Sequence, residues 1–106
     1  MIKPCRITVL KRTINQDLTD EYLNRETDFG KSFGLCPAFT EGQEFEVAAP
    51  FRVPEGFCAW AWADLRHDLL SLASGGSIPW IRQPGVAIVG CTDWLRPVYF
   101  KIERLD

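Results

Sequence analysis

The chain has 106 residues, a length that corresponds to one domain rather than two. It is 46% hydrophobic and 25% charged, which is ordinary for a globular protein and excludes an intrinsically disordered chain. The 12 basic and 14 acidic residues give a net charge of -2 without a basic stripe, so we expect no nucleic-acid partner.

The cellular location is inferred from the lack of sorting signals. Residues 1–4 do not lead into a targeting segment, and no apolar run is long enough to span a bilayer. We therefore expect a cytoplasmic protein with no membrane partner, whose cysteines are reduced. The cysteines are Cys5, Cys36, Cys58 and Cys91, and they form no C-x-x-C pair.

A strand and a short helix are predicted first. Cys5 to Leu10 alternates apolar and polar residues, which is typical of a half-buried strand with Cys5, Ile7 and Val9 inward. Asn15 to Leu23 predicts a helix, because asparagine suits the N-cap and acidic residues follow it.

A long loop and a second strand come next. Residues 24–40 contain two glycines and a proline without periodicity, so we predict a loop, and loops of this length are often functional. Gln43 to Val47 alternates again and predicts a strand with Phe45 and Val47 inward.

The long helix is predicted from Pro54 to about Ala73. Proline is well placed at the first position of a helix, and Gly75-Gly76 supplies the C-terminal stop. The predicted buried stripe recurs at helical spacing and consists of Cys58, Ala61, Trp62, Leu65, Leu69 and Leu72.

The chain is predicted to end in a β-hairpin. Val86 to Cys91 is nearly all apolar, as a central strand would be, and Pro97 to Glu103 alternates with Val98, Phe100 and Ile102 inward. The predicted fold class is α+β: a small, mainly antiparallel sheet of about four strands, with the long helix packed on one face and one short helix.

Cysteine is the first candidate for chemistry. Near the start of the long helix, Cys58 would meet free N–H groups and the positive end of the helix dipole, which favour a thiolate. Alternatively, Cys58 is a small apolar residue of the buried stripe, a common role of free cysteine. Cys36 lies in the loop and Cys91 ends a strand, and both are frequent positions for sites.

A metal site is a second interpretation of the same residues. Cys36, Cys58 and Cys91, with His67 or Cys5, could supply a thiolate-rich set for zinc, iron or copper. The spacing argues against such a site, since structural zinc sites use close cysteine pairs and this chain has none.

The single histidine and the three tryptophans outside the predicted buried stripe each have two possible roles. Asp64 could orient His67 for proton transfer, but such charge pairs on a solvated helix face are common. Trp60, Trp80 and Trp94 predict either the walls of an apolar pocket or a subunit interface.

Several sequence blocks along nearly the whole chain are specific in combination. The most specific are P-E-G-F-C-A-W-A-W-A-D at residues 54–64 and C-T-D-W-L-R-P-V at residues 91–98. E-G-Q-E-F at residues 41–45 and F-K-I-E-R at residues 100–104 accompany them. Together they resemble a family of short prokaryotic proteins with no assigned function, from which the longer loop at residues 24–35 departs.

The resemblance implies no activity, but it implies which residues belong to the family pattern. These are Cys36, Cys58, Cys91, Trp60, Trp62, Asp64, Trp80, Asp93 and Arg96. Because Cys5 and His67 are not among them, the resemblance favours the three cysteines over a histidine mechanism.

We therefore expect a ligand-binding or redox module with a small ligand and a thiol site. Its thiols would be those of Cys36, Cys58 and Cys91. Further binding residues are predicted at Trp60, Trp80, Asp64, Asp93 and Arg96. In an enzymatic version, Cys58 would be the nucleophile and Asp64 or Asp93 the base.

The alternative is a structural or interaction protein. In that interpretation the cysteines are core residues, and the tryptophans form a homo-oligomer or a partner interface.

Overall fold

The computed structural model describes all residues, 1–106, and shows seven elements in the order β-α-α-β-α-β-β. The strands are β1 (Cys5–Arg12), β2 (Glu44–Val47), β3 (Val86–Gly90) and β4 (Val98–Arg104). The helices are α1 (Gln16–Tyr22), α2 (Asp28–Lys31) and α3 (Ala59–Ala73).

The four strands form one antiparallel sheet in the order β2-β1-β4-β3. In the central pair Ile7 lies opposite Ile102, and in the C-terminal hairpin Ala87 lies opposite Ile102. The predicted α+β class, the mainly antiparallel sheet and the C-terminal hairpin are confirmed.

The core lies between one face of the sheet and α3. The six residues predicted to point inward from β1 and β4, the first and last strands, are at most 1% exposed. They are Cys5, Ile7, Val9, Val98, Phe100 and Ile102. They meet the buried stripe of α3, which consists of Ala61, Trp62, Leu65, Leu69, Leu72 and Ala73. Full burial of one such large apolar side chain contributes about 1.5–3 kcal/mol, so this layer contributes strongly to the stability of the fold.

The start of α3 differs from the prediction. The sequence predicts the helix from Pro54, but α3 begins at Ala59. Pro54 instead opens a turn, in which the Phe57 N–H donates to the Pro54 carbonyl at 3.1 Å and Gly56 has a φ of +79°. Because a positive φ cannot continue a right-handed helix, the helix starts later and Cys58 becomes its N-cap residue.

The end of α3 agrees with the prediction. Gly75 has a φ of +105°, its N–H donates to the Leu72 carbonyl at 3.0 Å, and the Gly76 N–H donates to the Ser71 carbonyl at 2.9 Å. These two bonds form a Schellman motif, which satisfies carbonyl groups at the helix end. None of the helices has the length and apolar character needed to cross a bilayer.

The prediction of β3 as a central strand is wrong, because β3 lies at the edge of the sheet. Its apolar residues are explained in part by the packing of one face of β3 against α3. Ala87, which is 2% exposed, belongs to the core that α3 covers, whereas Ile88 on the opposite face is 49% exposed.

The loop predicted at residues 24–40 contains the short helix α2. Thr27 is its N-cap residue, and the Thr27 hydroxyl accepts a hydrogen bond from the Gly30 N–H at 2.9 Å. A threonine cap followed by an acidic residue is a helix-start signal that the glycines of this loop obscured.

Candidate functional site

The structure has one cavity of ligand size, with a volume of about 540 Å³. Three segments form it: the N-cap and first turn of α3, the β3–β4 connection up to the start of β4, and α2 with the loop that follows it. Its apolar walls come from Phe29, Pro37, Phe39, Trp60, Ala61, Trp94 and Val98. The volume and the mostly apolar lining are typical of small-molecule sites.

Three cysteines far apart in the sequence line this cavity, which we name the thiol cavity. Cys36 and Cys58 are half-buried, whereas Cys91 is 7% exposed and its Sγ accepts a hydrogen bond from the Val98 N–H at 3.3 Å. Cys5 lies elsewhere, in the core, and is fully buried. The three cysteines that the sequence singles out therefore line one cavity.

Cys58 occupies the N-cap position of α3. Its backbone carbonyl accepts the hydrogen bond from the Trp62 N–H at 3.0 Å, but its side chain makes no capping hydrogen bond. The Cys58 Sγ is therefore free to contact a molecule in the thiol cavity.

The predicted metal site would need its ligands to lie close together. No group of three or more His, Cys, Asp or Glu side chains is arranged to hold a metal ion. The cysteines share the cavity wall rather than forming such a group, and a zinc, iron or copper site stays a prediction.

Thr92 joins Trp60 and Asp64, two of the predicted site residues. The Thr92 N–H donates to Asp64 Oδ2 at 2.7 Å, and the Thr92 hydroxyl lies 3.0 Å from the same oxygen. The Trp60 indole N–H donates to Thr92 Oγ1 at 2.7 Å, so the hydroxyl proton is left to point at Asp64. This network ties the first turns of α3 to the β3–β4 connection.

Sequence reasoning missed Thr92, although Thr92 lines the thiol cavity. The signal available was its place in the C-T-D block, directly after an apolar strand, where polar side chains often serve a site. Asp64 supports the cavity wall through Thr92 and does not itself line the cavity.

Asp93 and Arg96 are the charged residues of the cavity lining. Arg96 Nε donates to Asp93 Oδ2 at 3.2 Å, and the Arg96 backbone N–H donates to the Asp93 carbonyl at 3.1 Å. The pair thus stabilises the turn between β3 and β4 and places a guanidinium in a mainly apolar wall.

The loop that carries Cys36 is fixed by an arginine clamp. Arg12 Nη1 donates to the Cys36 carbonyl at 3.1 Å, and Arg12 Nε donates to Glu41 Oε1 at 3.1 Å. A hydrogen bond from its own backbone N–H, followed by the hydrogen bonds from Arg12, lowers the pKa of the Glu41 carboxyl. Glu41 therefore stays ionised and holds Arg12 over this loop at neutral pH.

Two other predicted residues lie outside the cavity lining. Trp80 is 83% exposed in the loop between α3 and β3, and His67 is exposed on α3 without a hydrogen bond to Asp64. Trp94, in contrast, lines the cavity and is 65% exposed, so it forms part of the rim.

Comparisons of the chain with protein-family models, with curated proteins and with solved structures found no match. The family suggested by the sequence blocks stays a prediction.

Proposed function

We propose that this protein is a small-molecule-binding domain whose site is the thiol cavity, with Cys58 as the accessible thiol. The observation that carries the proposal is that Cys36, Cys58 and Cys91 line one apolar cavity of about 540 Å³. Ligand sites are usually apolar concavities with a few polar groups, and here Thr92, Asp93 and Arg96 supply those groups.

The way the cavity is built also supports binding. Separate interactions hold its three segments: the Thr92 network at α3, the Asp93–Arg96 pair in the turn, and the Arg12 clamp on the Cys36 loop. A site whose walls are fixed before a ligand arrives loses less conformational entropy on binding.

A dye titration tests the proposal. N-phenyl-1-naphthylamine is neutral and apolar, and its fluorescence rises in an apolar site. We expect saturable binding of this dye, and we expect the bound dye to slow alkylation of Cys58 by iodoacetamide, measured by mass spectrometry of the peptides.

Two exposed loop alanines provide a matched pair for this titration. Ala38 lines the thiol cavity and Ala48 does not. Ala38→Trp should weaken dye binding by filling the entrance, and Ala48→Trp should leave the binding unchanged. Equal dye affinity in the two variants, or no saturable binding by the unmodified protein, contradicts the proposal.

The alternative that the cysteines bind a metal ion is tested by elemental analysis. Elemental analysis of protein purified without a metal-affinity tag should find less than stoichiometric zinc, iron and copper if the cavity takes organic ligands. A full equivalent of one of these metals per chain, lost on Cys58→Ser substitution, would favour the metal interpretation instead.

The exposed tryptophans favour a second candidate function, binding of a protein partner or a second copy. Trp60, Trp80 and Trp94 are 64%, 83% and 65% exposed, and aromatic residues are enriched in interfaces. Light scattering over a range of concentrations tests self-association: an oligomer that Trp80→Ser dissociates supports this candidate, and a monomer at all concentrations contradicts its self-association version.

A further inference from the structure

Two aromatic rings and an ion pair hold the guanidinium of Arg96 in the cavity lining. Its side chain is 14% exposed, and its guanidinium carbon lies 4.7 Å from the ring centre of Phe29 and 5.1 Å from that of Phe33. The two rings and the ion pair to Asp93 fix the guanidinium in one place, so little side-chain entropy is lost when a ligand binds to it.

The guanidinium has donors that the protein leaves unused. An arginine carries five N–H donors in a planar fork. Nε donates to Asp93 and Nη1 donates to the Gly34 carbonyl at 3.4 Å, whereas Nη2 has no acceptor in the protein. Arg96 can therefore still donate to an acidic group of a ligand, the acceptor that a guanidinium binds best.

The other lining residues of the cavity indicate which chemical groups the remainder of that ligand carries. Its walls include the aromatic rings of Phe29, Phe39, Trp60 and Trp94. Rings stack on one another or meet edge to face, so flat apolar groups gain more here than flexible polar ones.

We propose that the ligand of the thiol cavity is an apolar, ring-bearing molecule with a single acidic group, and that Arg96 binds this group. The inference rests on the proposed function and names its ligand class. The ion pair with Asp93 already offsets part of the Arg96 charge, so a ligand with one negative charge suits the site better than one with several.

Two dyes with the same rings test separately whether the cavity binds an apolar ring system and whether Arg96 binds an acidic group. 1-Anilinonaphthalene-8-sulfonate differs from N-phenyl-1-naphthylamine by one sulfonate. We expect the anionic dye to bind on the order of tenfold more tightly, which is the usual gain from a hydrogen bond between charged groups.

Substitutions at the ion pair should move the ratio of the two dissociation constants in opposite directions. Arg96→Gln should reduce the preference for the anionic dye, and Asp93→Asn should increase it, since the competing carboxylate is gone. Arg82→Gln is the control, because Arg82 is exposed, makes no hydrogen bond or ion pair, and lies outside the cavity lining. Circular dichroism of each variant checks that the fold is kept, and Arg96→Lys, which keeps the charge but loses the planar fork of donors, should retain only part of the preference.

The outcomes distinguish the inference from the proposed function. Saturable binding of the neutral dye without preference for the anionic dye, or a preference that neither Arg96→Gln nor Asp93→Asn changes, overturns the inference alone. Failure of both dyes to bind overturns the proposed function with it. If Arg96→Gln does not fold, the increase expected for Asp93→Asn decides the question.

Discussion

At the residue scale, the four cysteines differ in access and should differ in reactivity. Cys36 and Cys58 are half-buried, whereas Cys91 and Cys5 are buried. Burial raises the pKa of the Cys5 thiol, although the charge of Arg104 acts in the opposite direction. A buried neutral thiol is a poor nucleophile.

We therefore expect iodoacetamide to modify Cys58 and Cys36 in the native protein, and Cys5 and Cys91 only after denaturant is added. Mass spectrometry of the peptides over a time course measures the four rates. Modification of native Cys5 as fast as Cys58 would show that the cysteines are not arranged as described.

Asp64 and Asp68 provide a matched test of the Thr92 network. Both lie on α3 and are half-buried, but only Asp64 accepts hydrogen bonds. Asp64→Ala leaves the Thr92 N–H without its partner and should lower the free energy of unfolding by about 1–3 kcal/mol. Asp68→Ala should change it far less in the same urea titration, and equal losses would argue that the network adds nothing.

The chemistry-bearing residues were predictable only as candidates. Cys36, Cys58 and Cys91 stood out by type and by the family resemblance, but their spacing of 22 residues or more could not place them together. Thr92 was missed because threonine is ordinary after a strand, and only the positions of Trp60 and Asp64 give it a role.

At the element scale, periodicity predicted the inward faces of β1, β2 and β4 and the stripe of α3. It failed at the start of α3, at the short helix α2 and at the position of β3 in the sheet. The start of α3 depends on the positive φ of Gly56, which competes with the helix signal of Pro54, and sequence cannot rank the two. The strand β3 lies at the edge because it pairs only with β4. From sequence alone, an apolar edge strand that a helix covers cannot be distinguished from a central strand.

The segment containing α2 can be disturbed by one methyl group. A Cβ at Gly30 would lie 1.9 Å from the Asn24 carbonyl oxygen, whereas a Cβ at Gly34 would meet nothing within 4 Å. Gly30→Ala should displace α2 and move Phe29 from Arg96, and Gly34→Ala should not. We expect faster proteolysis within residues 24–35 and weaker binding of the neutral dye for Gly30→Ala only; the same behaviour of both variants would contradict this role of α2.

The Arg12 clamp predicts a specific pH dependence. Because the pKa of Glu41 is lowered in the folded state, its contribution to stability is complete above the ordinary value of 4.5 and is lost as the pH falls through the lowered pKa. Glu41→Gln should therefore lower Tm at pH 7 and have little effect at low pH. Glu55→Gln, at an exposed residue without partners, is the control, and a difference that does not depend on pH would contradict the clamp.

At the scale of the whole molecule, the sheet and α3 form a frame, and the thiol cavity lies at the end of that frame where α3 begins. The fold class followed from composition and alternation, whereas the cavity required the tertiary arrangement of three loops. The loop after α2, the turn before α3 and the β3–β4 connection each carry one cysteine to it.

The central claim is that this cavity binds an apolar molecule, and an NMR titration tests it most directly. In ¹H-¹⁵N spectra of labelled protein, N-phenyl-1-naphthylamine should shift the amide signals of Cys36, Cys58 and Thr92 along one saturable curve and leave Trp80 unchanged. Shifts that centre on Trp80, or that spread evenly over the protein without saturating, would contradict the claim.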